Sequence, residues 1–259
     1  MRLAIMQPTY LPWLGYFDLI DQVDHFVFLD QVEFSSRSWQ RRNRIKTSQG
    51  LKWLTVPVRQ RRHQVITEVE IALHDFGHKH MRTIQTYYAR ASYFGPTYEG
   101  LCRFLDGGRS WRMLADLNIE LITWLSEFLG VRVRLHRSSA LGQQGKRTGL
   151  LARICEKLGC EEYLSPLGSA VYLLEEQAQM TDAGIRVLFQ HYAHPTYVQL
   201  FPPFLPYASV IDLLLNEGPA ALEIIRSGRR EAYTVEQCRG LLASTRGIES
   251  DELCQDWTA

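Results

Sequence analysis

HFVFLDQVEF, residues 25–34, decides the fold. Its centre, Phe26 to Leu29, is a continuous apolar run with no polar alternation, and it stops at Asp30. A strand with one face in water alternates. An uninterrupted run is buried on both faces, which is the signature of a strand inside a parallel sheet. Leu3 to Met6 is a second short apolar run of the same kind. Between the two, Leu14, Phe17, Leu19, Ile20 and Val23 recur at helical spacing despite Pro12. Strand, helix and strand within the first 35 residues make a βαβ unit.

Moving outward, WLTVPV (53–58) and VITEVEIAL (65–73) alternate like antiparallel strands and are expected to form a hairpin across QRRHQ. From residue 79 the period becomes helical. Helices are expected over 79–107 and 110–129, with breaks at Gly95-Pro96 and Gly107-Gly108 and a stop at Gly130. Strand and helix then alternate again through VRVRLHRSS (131–139), TGLLARICEKLG (148–159), EEYLSP (161–166), a helix near 169–182, and IRVLFQHY (185–192). A helical tail begins at Ser209. The expectation is one α/β domain over residues 1–259: a three-layer, mostly parallel, Rossmann-like sheet carrying a hairpin, a helical insertion at about 79–129 and a helical end at about 209–259.

The chain of 259 residues is 46% hydrophobic and 22% charged, with no low-complexity run, so it reads as folded throughout. Cys102, Cys155, Cys160, Cys238 and Cys254 are odd in number and include no CxxC, which points away from a disulfide framework or a zinc site and toward a reducing cytoplasm. No signal peptide and no apolar segment of ~18 residues is visible, so membrane insertion is not expected. The oligomeric state is not legible.

The net charge of +1 argues against a general nucleic-acid binder, yet it hides an asymmetry. Residues 34–67 contain no Asp or Glu and hold Arg37, Arg41, Arg42, Arg44, Lys46, Lys52, Arg59, Arg61 and Arg62. Seven arginines to two lysines favours forked, bidentate recognition of phosphate or carboxylate, and Trp39 among them offers a surface for a base or a sugar. An anionic small molecule such as a nucleotide sugar or ATP is the expected partner, with an RNA end as another.

In open α/β sheets ligands bind beyond the carboxyl ends of the strands. The polar residues at those junctions are the site candidates: Gln7, Thr9 and Tyr10 after the first strand, Asp30 and Gln31 after the second, then Ser138 and Ser139, Ser165, and His191, Tyr192 and His194. Trp13 and Phe17 are expected to fill the core under the first helix. SSALGQQGKRTGLL (138–151) places Gly142, Gly145, Lys146 and Thr148 ahead of a helix, a chemistry suited to phosphate although not a Walker A spacing. HDFGHKH (74–80) groups three histidines with Asp75 but lacks metal-ligand spacing, so no metal is expected and Asp75 reads as a helix cap. HPTYVQLFPPFLPYASVIDLLLNEG (194–218) reads as a fixed loop over the site, with Tyr197 and Gln199 facing the ligand, before a helix starting at Ser209.

Taken in order, QPTYLPWLGYFDLI, DHFVFLDQVEF, SWQRRNRIK, WLTVPV, GKRTGLLARICEKLGCEEYLS and HPTYVQLFPPFLPYASVIDLLLNEG resemble the WbqC family of bacterial proteins over residues 2 to about 225. The sequence departs from the family pattern at Pro166, where glycine is usual, and at Glu33, where glutamine is usual. The resemblance implies a cytoplasmic role in surface-polysaccharide, O-antigen-like biosynthesis, with transfer of glycine to an amino sugar. Amide formation needs an activated acyl donor, such as one made with ATP or carried on a charged tRNA, together with a base and oxyanion donors. Asp30 or His194 is expected as the base, and Gln7, Asn43 and backbone N–H groups near Gly15 as oxyanion donors. Arg41, Arg42, Arg44 and Lys146 are expected on the phosphates of a nucleotide-linked amino sugar. A non-catalytic binding protein for nucleotide sugars or glycans is the alternative, and an RNA-binding protein a further one.

Overall fold

The computed structural model describes residues 1–35, 38–73, 75–106 and 110–245. Five strands, β1 (Arg2–Met6), β2 (His25–Phe28), β7 (Arg134–Arg137), β8 (Glu162–Ser165) and β9 (Arg186–Phe189), form one sheet in the order β7-β2-β1-β8-β9. Every pairing in it is parallel. The apolar run at 26–29 is therefore explained by its neighbours: β2 lies between β1 and β7 and has water on neither face.

Alternate residues serve opposite layers. Ala4, Phe26, Phe28, Leu164 and Leu188 face a core shared with α1 (Leu14–Asp21), α2 (Phe76–Tyr88), α3 (Phe94–Leu105), α4 (Leu114–Leu129) and α8 (Val210–Glu217). Leu3, Ile5, Val27, Tyr163, Val187 and Phe189 face the other core, beneath α5 (Arg147–Lys157), α6 (Ala170–Glu175), α7 (Ala178–Asp182) and α10 (Val235–Thr245). This is the expected three-layer α/β architecture, including its helical C-terminal part, where α9 (Ala221–Ser227) joins α8 and α10. Each fully buried Phe or Leu contributes roughly 1.5–3 kcal/mol. Among the described residues no helix is long and apolar enough to cross a membrane.

Local signals explain the boundaries. Gly130 takes a left-handed φ of 82° and ends α4, and the Ser209 side chain accepts from the Ile211 N–H to start α8. Pro12 stays outside α1, whose first turn folds Trp13 back over Gly15 so closely that a Cβ there would lie 2.3 Å from the indole.

Three expectations need correction. Strand β4 (Gly50–Thr55) pairs not with 65–73 but with β3 (Arg42–Thr47), and only β5 (Val58–Arg59) reaches β6 (Glu70–Ile71), because Ile66–Glu68 curls into a 3₁₀ turn. Gly95 and Pro96 lie inside the first turn of α3 rather than breaking a helix, a place where the proline lacks only an N–H that needs no intrahelical partner. The helix near 169–182 is two short ones, α6 and α7. The Gly107-Gly108 break lies outside the described residues.

Candidate functional site

In the sheet order, β2 lies on one side of β1 and β8 on the other, so the chain reverses direction across the sheet at the β1/β8 pair. At such a switch point the connections leave the strand tips in opposite directions and open a crevice. A cavity of about 270 Å³ occupies it. Met6, Gln7 and Thr9 come from the tip of β1, Leu29 from β2, Trp39 and Gln40 from the segment entering β3, and Tyr163, Pro166, Ser169 and Tyr172 from β8 and α6. Among the described residues no charged side chain lines it.

Its polar groups are held from behind. Gln40 donates through Nε2 to Gln7 Oε1 at 2.6 Å, which fixes the Gln7 amide and leaves its own N–H groups without a partner among the described residues. The Thr9 hydroxyl also makes no hydrogen bond there. Trp39 is placed by the Tyr10 N–H, which donates to its carbonyl at 3.0 Å. From α4, buried Asn118 donates to the carbonyls of Pro8 (3.1 Å) and Gln40 (2.6 Å), tying two walls of the cavity together.

Of the residues put forward from sequence, Gln7, Thr9 and Trp39 line this cavity; the others surround it or lie elsewhere. Asp30 is wholly buried, and its carboxylate accepts from Arg137 Nε (2.9 Å), Ser138 Oγ (3.0 Å), Ser139 N–H (2.9 Å) and Ser139 Oγ (2.8 Å). Burial alone would raise its pKa, but the Ser139 amide, Arg137 and the serine hydroxyls outweigh it and hold the carboxyl below its usual range. A carboxylate so committed is a poor base. It clamps the tips of β2 and β7, contrary to the catalytic expectation.

His194 departs from the same expectation. A carbonyl only accepts, so His194 Nδ1 donates to Pro195 O (2.9 Å), while Nε2 accepts from the Tyr207 N–H (3.1 Å). Burial lowers its pKa, and its ring stacks on Trp13 at 6.1 Å. This is a neutral, doubly satisfied imidazole under the proline-rich loop. Tyr197 and Gln199 do not face the cavity either; both bond Asp212 Oδ2, at 2.7 and 2.8 Å.

The phosphate reading of residues 142–148 meets an occupant. The Thr148 N–H donates to Glu176 at 3.2 Å and Arg147 pairs with the same carboxylate at 2.9 Å, so the start of α5 already holds an anion, while Lys146 is exposed. Gln31 fastens that loop through Gln143 O at 2.8 Å, and buried Ser165 bonds Pro166 O at 3.1 Å. Asn43 donates to Leu11 O at 2.7 Å from inside the hairpin, where Arg42 and Arg44 flank it and Arg41 immediately precedes the strand.

Tyr10 is fully buried, its hydroxyl shares a hydrogen bond with His80 Nδ1 at 2.8 Å, and the Thr55 backbone also faces the imidazole. Burial depresses His80 to about 4, with the Thr55 bond opposing it. A histidine neutral in the fold and protonated when unfolded contributes stability above its unfolded pKa near 6.5, and loses it as pH falls toward 4. We expect unfolding free energy to drop by about 3 kcal/mol over that interval, and the acid limb to flatten in His80→Gln, read by denaturant titration at several pH values. Among the described residues no group of three His, Cys, Asp or Glu is arranged to hold a metal ion; His74 lies outside them. Asp75 pairs with Lys79 at 2.7 Å and does not cap α2 through its side chain.

The polar lining residues that sequence reasoning did not nominate are Ser38, Gln40, Tyr163, Ser169 and Tyr172. Nothing in their local pattern separates them from surface polar residues; the fold alone brings them to the β1/β8 crevice.

No solved structure matches the chain. An uncharacterized protein of Mycobacterium tuberculosis, Rv1507c, is 35% identical over 233 residues, covering 88% of this chain and 99% of that protein. The profile of the WbqC-like protein family matches residues 7–224, which takes in the proline-rich loop and every cavity-lining residue named above except Met6. The chain belongs to the WbqC-like protein family.

Proposed function

We propose that this chain binds a nucleotide-linked amino sugar in surface-polysaccharide assembly, with the sugar ring in the switch-point cavity. The observation that carries this reading is the cavity's lining: one tryptophan wall, amide and hydroxyl groups without partners, and no charge among the described residues. Sugars are uncharged, rich in hydroxyl groups and apolar on their ring faces, and such a lining matches them. About 270 Å³ lies at the low end of small-molecule sites, typically ~300–1,000 Å³, and suits one ring rather than a whole nucleotide sugar.

Acyl transfer to the sugar's amine is the second reading, favoured by the Gln7 amide. In that step the amine nitrogen attacks the activated acyl carbon, the leaving group departs, and the nitrogen sheds a proton. In this reading the Gln7 N–H groups donate to the oxygen on which charge develops. With Asp30 and His194 both committed elsewhere, the cavity offers no evident base among the described residues, so binding is supported better than catalysis.

The test is calorimetry with UDP-, dTDP- and GDP-linked amino sugars, then incubation with glycine and ATP, or with glycyl-tRNA, and mass spectrometry of the sugar. Binding is expected, and Thr9→Val together with Gln7→Leu should weaken it about tenfold or more, as expected for roughly 0.5–1.5 kcal/mol per lost hydrogen bond. A glycylated product establishes the transferase; binding without product under every donor favours the accessory role. Absence of binding to the whole panel defeats the proposal.

A further inference from the structure

We propose that the nucleotide half of the ligand lies outside the cavity, across an arginine–tryptophan ladder on the β3–β4 hairpin, with its diphosphate on Arg44 and its base against Trp53. This rests on the reading of the cavity as a sugar pocket and extends it to the part of the ligand that the cavity does not fit.

Arg42 and Arg44 are two residues apart on β3 and share a face, and Arg44 stands opposite Trp53 of β4. The Arg44 guanidinium carbon is 5.1 Å from the Trp39 ring centre and 5.4 Å from that of Trp53, and Arg42 lies 4.3 Å over Trp53. The two indoles are tilted by 42° with centres 5.2 Å apart. Trp39 is also a wall of the cavity. Pocket and ladder therefore share one side chain, and a ligand leaving the pocket past Trp39 meets Arg44.

The charge on Arg44 is uncompensated among the described residues. No carboxylate among them is found acting on it, and its Nε is buried without a hydrogen-bond partner. Burial lowers its pKa with no acidic neighbour opposing the shift. A cation held this way is costly unless something anionic completes it. Stacking on indoles uses the face of the guanidinium and leaves its N–H groups, which lie in the plane, for a phosphate fork. Trp53 is 41% exposed, a large aromatic surface beside a cation and within a stretch free of acids. A base has a π-face for it regardless of identity, so the ladder supplies affinity for nucleotides without strong choice among them.

The experiment is titration of the full chain with UDP, GDP, dTDP and their amino-sugar conjugates, read by tryptophan fluorescence and calorimetry, with thermal melts confirming that each variant is folded. Free nucleoside diphosphates are expected to bind wild type. Arg44→Ala should weaken them at least tenfold, with Arg44→Lys restoring part, and Trp53→Ala about tenfold, with Trp53→Phe restoring part. Thr9→Val should leave free-diphosphate binding unchanged and reduce only the preference for the sugar conjugate. Conjugates that bind wild type, Arg44→Ala and Trp53→Ala alike overturn the ladder while leaving the sugar pocket intact. Binding of a single-stranded RNA oligonucleotide with a steep salt dependence, when no diphosphate binds, overturns it in favour of RNA.

Discussion

Asp30→Ala will destabilise the protein by about 3–5 kcal/mol, the range for removing one partner from a buried charged cluster. At this chain length that is a melting-temperature drop on the order of 10 °C. The loss has a specific origin. Arg137, both serine hydroxyls and the Ser139 amide converge on one carboxylate, and its removal leaves a half-buried guanidinium with, among the described residues, only Asp116, at 2.8 Å. Because the carboxyl is held below its usual range in the fold, its contribution is present above the unfolded pKa near 3.9 and disappears as pH falls through the lower folded value. The acid limb of wild type should therefore be steeper than that of Asp30→Asn. Ligand binding per folded molecule should change little in Asp30→Asn, whereas a selective loss of turnover at unchanged stability would restore Asp30 as a base.

Asp212→Ala will have an effect of similar size and a different consequence. Asp212 is fully buried at the start of α8, where Tyr88 donates to it at 2.6 Å, Tyr197 at 2.7 Å and Gln199 at 2.8 Å. Burial raises its pKa, and these donors together with the Lys46 charge oppose the rise. Gln199 also holds both backbone groups of Leu205, and Lys46 donates to Pro203 O at 2.6 Å. Deleting the carboxylate strands two buried tyrosine hydroxyls, at about 1–3 kcal/mol each, and removes one acceptor from half-buried Gln199, which loosens the loop they anchor. We expect a loss of about 3–5 kcal/mol in denaturant titration, accompanied by early proteolytic cleavage between residues 195 and 208. Asp212→Asn, which retains one carbonyl acceptor, should recover about half. A variant that melts like wild type and keeps the loop resistant would show that the network is dispensable.

The central sheet is legible because its signal is local: four adjacent apolar residues at 26–29 have only one comfortable environment. The hairpin is less so. RNRIKT carries three cations in six residues and looks nothing like a strand, yet Asn43, Ile45 and Thr47 turn inward while Arg42 and Arg44 form the ladder face, and WLT pairs with it. Junction chemistry leads to Gln7 and Thr9, since the residues just past the tip of a first strand sit at the switch point. It fails for Asp30, His194, Tyr197 and Gln199 because a polar residue near a strand tip looks the same in sequence whether its partner is a ligand or a neighbouring side chain. The partners here, Arg137, Tyr207 and Asp212, lie 107, 13 and 13–15 residues away. Asp30 meets Arg137 only through tertiary folding, and the others through the course of an irregular loop.

The pairing of β1 with β8 also has a consequence during synthesis. Met6 leaves the ribosome well before Glu162, a delay of roughly 10–30 s at ~5–20 residues per second. Throughout that interval one edge of β1 lacks its eventual neighbour and is open to pairing with other nascent chains. Half of the crevice is then made and half is not, and chaperone dependence should concentrate in the window before residue 165 emerges.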